Sequence, residues 1–215
     1  MPETRIQTLP LGPLAANCYI VTDEKSGQSA VIDPGAYETA LCEAVAKLEP
    51  GSVRYILLTH GHFDHILGVA QLKQATGAAV AVHRLDAPCL FDSRLSYAQR
   101  YRRGAQQEVR PDIMLEDGSR LFLGECGLTV LHTPGHSAGS VCYYCADDNV
   151  LFSGDTLFRG TVGRTDFEGG DYGQMLASLS RLLALDEGCA VYPGHDRPTT
   201  VGYERAHNPY AGRTR

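Results

Sequence analysis

The sequence predicts a layered, mixed α/β protein, and three observations carry that expectation. Short apolar runs rich in strand formers alternate along the chain with stretches whose apolar residues recur at helical spacing. Over residues 29–58 the order is strand, helix, strand. Four apolar runs stop near a glycine and deliver a histidine or aspartate, and strand ends that converge on one rim are where a layered α/β protein builds its site.

In order, residues 5–9, 17–22 and 29–32 read as strands, with a polar turn at 23–27. Asp33-Pro34-Gly35 then breaks the sheet. Asp33 is either a turn residue bonding its own backbone or a carboxylate that orients a metal-bound histidine. Ala40, Leu41, Ala44, Val45 and Leu48 keep helical spacing until Pro50-Gly51, and residues 53–58 form the next strand. From His65 the apolar positions Ile66, Leu67, Val69, Ala70 and Leu72 predict one helix up to Gly77, followed by a strand at 78–82 that ends at a structural His83. Residues 85–117 have no clear period and read as an insertion or lid. In its Tyr/Arg-rich part, Arg100, Arg102 and Arg103 form a solvated face or attract an anionic substrate. Residues 121–123 and 128–131 make a hairpin that leads to His136, and 150–152 lead to Asp155. Tyr172, Met175, Leu176, Leu179, Leu182 and Leu183 describe an amphipathic helix ending near Gly188, before a strand at 189–192 that leads to His195. The tail from Pro198 shows no period.

A length of 215 residues fits one domain over 1–215. A net charge of −6 argues against a nucleic-acid backbone as partner. No apolar run approaches a membrane span and no basic leader opens the chain, so the expectation is a soluble cytoplasmic protein that does not bind membranes. Seven cysteines, an odd number, fit a reducing compartment rather than a disulfide framework. Cys142 and Cys145 have zinc-ribbon spacing but lack a second pair, and strand alternation places them on opposite faces.

The chemistry concentrates in Thr59-His60-Gly61-His62-Phe63-Asp64-His65, where four potential metal ligands occupy six residues between a strand and a helix. His60 and His62, two apart at a strand end, point the same way, while Asp64 and His65 sit where the helix begins. A lone histidine is commonly a hydrogen-bonded core residue, but three with an aspartate in one window are a poor fit to scatter. Adding His136, Asp155 and His195 gives five His and two Asp, too many for one tetrahedral ion, and structural zinc usually recruits Cys. Two divalent ions follow: one on His60, His62 and His136, one on Asp64, His65 and His195, with Asp155 bridging. Zinc is the first expectation, and His/Asp donors also suit iron or manganese. Ions about 3.5–4 Å apart share a water and lower its pKa toward about 7, which favours attack on an electrophilic carbonyl. Gly160 to Gly163 is too short for a P-loop, and no Gly-x-Ser-x-Gly occurs.

The ordered set His60-x-His62-x-Asp64-His65, His136, Asp155 and His195 closely resembles the metallo-β-lactamase superfamily, supported by Asn17-Cys18-Tyr19, Asp33-Pro34-Gly35, Thr133-Pro134-Gly135-His136 and Ser153-Gly154-Asp155. The resemblance implies a four-layer αββα sandwich with the metals at one rim. True β-lactamases typically place other residues at the positions of His65 and Asp155, and the full set looks like glyoxalase II, the hydroxyacylglutathione thioesterase. Gly163-Arg164-Thr165-Asp166-Phe167, Gly202-Tyr203-Glu204-Arg205 and Asn208-Pro209-Tyr210 look like its short bacterial relatives. What this implies is a small-molecule thioester substrate such as S-lactoylglutathione, attacked by a metal-bridging hydroxide that Asp64 orients. Arg164 would lie near the thiol carrier's carboxylates and Phe167 near its sulfur; on its residues alone, Arg164 is equally a loop arginine paired with Asp166. Glyoxalase II proper adds a helical domain that contacts glutathione, whereas twenty residues follow His195, so another carrier is open. Persulfide dioxygenases share the fold and would place one iron on His60, His136 and Asp155; a lactonase is a nearer alternative. The oligomeric state is not legible.

Overall fold

The structure, a computed structural model, describes residues 4–101 and 106–213; Arg102 and Arg103 of the predicted basic cluster lie outside that range, and Arg100 is exposed. The chain runs β1 (Thr4–Leu11), β2 (Ala16–Asp23), β3 (Ser29–Ile32), α1 (Thr39–Val45), β4 (Val53–Leu57), α2 (Phe63–Ile66), α3 (Val69–Thr76), β5 (Ala79–His83), β6 (Ile113–Leu115), β7 (Arg120–Leu123), β8 (Cys126–His132), β9 (Val141–Cys145), β10 (Val150–Gly154), β11 (Leu157–Phe158), β12 (Thr161–Val162), α4 (Tyr172–Leu183), β13 (Ala190–Pro193), β14 (Thr199–Thr200) and α5 (Val201–His207). Two six-stranded sheets result, ordered β1-β2-β3-β4-β5-β6 and β14-β13-β10-β9-β8-β7.

Strand alternation sorts the apolar residues into three cores, and three cores define four layers. In β2, Cys18 and Ile20 face outward to meet Leu41 of α1 and Leu72 of α3, while Tyr19 and Val21 face the second sheet. In β9 and β10, Tyr143, Cys145 and Phe152 join the central core, while Cys142 and Leu151 meet Leu179 and Leu182 of α4 and Val201 of α5. The arrangement is helix, sheet, sheet, helix: the expected αββα sandwich. Cys142 and Cys145 fall on opposite faces, and all seven cysteines are free. No helix among the described residues is long and apolar enough to cross a membrane.

Three expectations are corrected by packing. The single helix foreseen from His65 to Gly77 is broken between Ile66 and Val69. At the break, Gly68 donates its N–H to the Pro34 carbonyl at 2.8 Å, and a Cβ there would meet the same oxygen at 2.7 Å. The tail is not featureless: it forms β14 and α5, whose inward face carries Glu204, fully buried and accepting from Thr199 Oγ1, Gly160 N and Asn208 Nδ2. A polar anchor replaces the apolar stripe that would have marked the helix. Residues 85–117 include β6, which extends the first sheet, and a 3-10 turn at Ala87–Leu90, so the segment is woven into the fold as well as reaching over the rim.

Sheet ends are held against the ligand-bearing helix at near-contact distance. A Cβ at Gly35, just past β3, would lie 1.8 Å from the Asp64 carbonyl oxygen, closer than any atoms can approach without moving backbone. Gly35→Ala should therefore lower unfolding free energy by about 1–3 kcal/mol, the usual cost of overpacking. Denaturant unfolding checks this, and an unchanged midpoint and slope would mean that the two segments are not locked together.

Candidate metal centre

Each sheet contributes strand ends to one rim. β4 leads into Thr59, His60 and His62, and α2 starts there with Asp64 and His65. From the second sheet, β8 leads to His136, β10 to Asp155 and β13 to His195. The sheets are joined at this rim, where Val141 N donates to Thr59 O at 2.8 Å and Asn17 Nδ2 donates to the Pro193 and Asp196 carbonyls at 3.0 and 2.9 Å. Ligand-capable atoms of His60, His62 and His136 lie within 4.8 Å of one another, and so do those of Asp64, His65 and His195. Asp155 lies between the groups: its carboxylate is 3.5 Å from His65 Nε2, 3.5 Å from His136 Nε2 and 3.7 Å from His195 Nε2. The seven side chains singled out in the sequence are thus brought together.

Hydrogen bonds on the far side of the rings set which nitrogen faces the centre. Asp33 accepts from Thr59 N at 2.7 Å, from Thr59 Oγ1 at 2.6 Å and from His65 Nδ1 at 2.9 Å. Because the Thr59 hydroxyl proton goes to Asp33, Thr59 Oγ1 is left to accept from His60 Nδ1 at 3.1 Å. His136 Nδ1 donates to the Arg164 carbonyl at 2.8 Å. All three rings then turn Nε2 inward, and in the neutral ring that nitrogen carries the lone pair a metal requires. His62 turns Nδ1 to the same point, 2.8 Å from His136 Nε2. Asp33 is therefore the orienting carboxylate: its side chain bonds Thr59 and His65, and its own turn, at φ +50°, is closed instead by Gly35 N on the Asp33 carbonyl at 2.8 Å.

The donor set fits a divalent ion pair on two grounds. Buried polar atoms normally find a hydrogen bond, yet His60 Nε2, His65 Nε2 and Asp155 Oδ1 are buried here without one, all at the same place. Electrostatics agree. Burial, with the neighbouring His65 and His62, pushes His60 well below the ordinary imidazole value, so it is neutral and able to ligate. Burial also opposes charge on His65, but the carboxylates of Asp155, Asp64 and Asp33 outweigh it and raise that ring to about 10. Those carboxylates favour a positive charge at this spot, which a divalent ion would supply in place of the proton.

One buried acid was missed in the sequence. Asp86 is 3 % exposed and accepts from Gly61 N at 2.9 Å, Ser137 Oγ at 2.7 Å and Gly139 N at 2.7 Å. It ties the loop carrying His60 and His62 to the loop carrying His136. The signal was present, since Asp86 follows β5 as Asp155 follows β10, but no metal-ligand spacing marked it. His83, by contrast, is structural, stacked on His132 at 4.2 Å.

Above the ligands opens a cavity of about 410 Å³. Arg164 and Phe167 both line it. The Arg164 guanidinium is paired with both oxygens of Asp166 at 2.7 Å and lies 4.1 Å over the Phe167 ring, so the ion pair and the pocket position hold together. Tyr97 and Tyr101, in the segment without a period, also line the cavity. Tyr97 stacks on Phe167 at 4.6 Å, meets the His62 ring edge-on at 5.3 Å, and accepts from Glu168 N at 2.7 Å. Its φ of +64° costs roughly 1–2 kcal/mol for a residue with a Cβ.

Comparison with known proteins agrees with this geometry. The family model described as Metallo-beta-lactamase superfamily matches residues 11–195. Hydroxyacylglutathione hydrolase GloC of Haemophilus influenzae is 33% identical over 207 residues, covering 95% of this chain and 97% of that protein. The crystal structure of TTHA1623 in a di-iron-bound form superposes with a TM-score of 0.84 at 41% identity, over 95% of this chain and 99% of that one. BLEG-1 B3 metallo-beta-lactamase superposes with a TM-score of 0.89 at 36% identity, over 96% and 99%.

If Asp86 holds the two histidine loops in register, Asp86→Asn should weaken divalent metal binding about 10–100-fold, as loss of an outer hydrogen-bond partner does elsewhere. Competition against a chromophoric chelator measures this. Unaltered affinity, with the metal-free melting temperature lowered or not, would reduce Asp86 to a packing role.

Proposed function

The chain belongs to the metallo-β-lactamase superfamily, and from that premise we propose a binuclear, metal-dependent hydrolase that cleaves thioesters in the manner of glyoxalase II. The observation that carries the reading is the pairing of two three-residue donor groups with Asp155 between them. One ion would be held by His60, His62 and His136, the other by Asp64, His65 and His195. Divalent ions bound there supply Lewis acidity and lower the pKa of water, so that a nucleophile exists at neutral pH. Zinc is our first assignment, with the di-iron form of TTHA1623 making iron the next.

The chain's own residues divide the remaining tasks. Asp64 lines the cavity with its Oδ2 3.3 Å from His195 Nε2; burial opposes its charge, but His65 and His195 outweigh that and lower its pKa. It therefore stays ionised and can accept a hydrogen bond from the attacking water and hold its direction. Asp33 and Thr59 keep His65 and His60 in the ligating tautomer throughout. The name of the Haemophilus influenzae relative points to hydroxyacyl thioesters. A persulfide dioxygenase with one iron on His60, His136 and Asp155 would leave Asp64, His65 and His195 without a ligand role, although they converge as closely as the first group.

Two measurements test the reading. Elemental analysis should find about two ions per chain, and the loaded protein should hydrolyse S-lactoylglutathione but leave a β-lactam intact. One iron per chain with oxygen uptake on a persulfide would overturn it. Asp64→Ala should lower kcat by about two orders of magnitude or more, in the range lost with a positioned acid or base, with the melting temperature of the metal-free protein retained. Asp155→Ala should lose metal from both sites; retention of two ions would remove its bridging role.

A further inference from the structure

The lining of the cavity names a substrate class. We propose that the cleft is built for a thioester whose acyl group carries a bulky apolar substituent, aromatic or branched, rather than the methyl of a lactoyl group. The proposal rests on the hydrolase reading above and deepens it.

The reacting carbonyl must lie at the floor, beside Asp64 and Asp155. Both directions away from that floor are apolar. On the His62 side stand Phe167, 5.4 Å from the His62 ring, and Tyr97 stacked on it. Tyr101 stacks on Phe63 at 5.4 Å and extends the same wall to the surface. On the His195 side stand Phe158, 6.1 Å from the His195 ring, and Leu14 at the mouth. Whichever way the thioester lies, its acyl substituent meets hydrocarbon.

Charge points the same way. Among the described residues that line the cavity, Arg164 is the sole arginine or lysine, and Asp166 already occupies it with two hydrogen bonds. A peptide-like thiol carrier with two carboxylates finds one occupied cation here. Meanwhile Leu14 and Tyr101 remain 48% and 40% exposed at the mouth, an apolar rim that a polar ligand would leave wet. Tyr97 adds an independent sign. A bulky residue kept at φ +64° and fixed through its hydroxyl is strain retained at a position that faces the ligands. Its ring is placed as a wall, in van der Waals reach of whatever sits over His62.

The matched test uses lactoyl and mandeloyl thioesters of N-acetylcysteamine, a small neutral thiol, which differ only in methyl against phenyl. With metal-loaded protein, and each rate referred to its uncatalysed hydrolysis, kcat/KM for the mandeloyl ester should exceed that for the lactoyl ester by about tenfold or more, the discrimination apolar contacts supply. Tyr97→Ala and Tyr101→Ala should shrink that ratio severalfold; Tyr101, on the exposed rim, is the variant that keeps the fold. Equal rates, or faster lactoyl cleavage, would overturn the proposal. Hydrolysis of neither ester, nor of S-lactoylglutathione, would defeat the hydrolase reading instead. Calorimetry with the product acids then decides the cleft: mandelate bound about tenfold tighter than lactate upholds the apolar assignment, and equal affinity refutes it.

Discussion

A single buried carboxylate, that of Asp33, holds the centre together. It stands at the end of β3, 1 % exposed, and accepts from Thr59 of the β4 end and from His65 of α2. Through the Thr59 hydroxyl its influence reaches His60, one residue further on. Hydrogen bonds to a charged group are worth about 1.5–3 kcal/mol each, and removing the acceptor would strand three buried donors. The orientation of one histidine from each donor group, the path of the chain out of β3 and the start of α2 all depend on this one side chain. That dependence explains why Asp33 tolerates a left-handed backbone.

The two-sheet scaffold solves a charge problem that neither sheet could solve alone. Five imidazoles and two carboxylates packed so closely would repel or orphan one another without cations, and the three buried atoms of this centre that lack a hydrogen bond record that cost. Restraint from outside the donor set makes the crowding tolerable. Asp86 clamps the His62 and His136 loops, and Asn17 clamps the loop that carries His195. Above this rigid floor the wall is of another kind: stacked aromatics drawn from the 97–101 segment and the 158–167 loops. Floor and wall therefore answer different questions, the first the reaction and the second the choice of molecule.

Periodicity made most of the scaffold legible. α4 begins at Tyr172, as its apolar spacing does, and its core-facing Met175, Leu179 and Leu182 are all apolar; it stops at Leu183, short of the end expected near Gly188. α5 escaped because its inward contact is a hydrogen-bonded Glu204, which composition cannot distinguish from a surface acid. The break at Gly68 escaped because it is caused by residues 34–36, over thirty positions earlier in the chain. Among site residues, the seven donors were legible through their residue types and their places after strands. Asp86 and Tyr97 were not, since an orienting acid and a wall tyrosine have no spacing of their own.

Local sequence, then, determined most of the elements, the alternation that sorts side chains between three cores, and the inventory of metal donors, because each depends on neighbours within a few residues. Tertiary structure alone decided that Asp155 lies between two donor groups, that each orienting bond turns Nε2 inward, and that the Arg164 charge is spent on Asp166 beneath an apolar rim. Those facts are distances between side chains from different strands, and only the packing of one sheet on the other sets them.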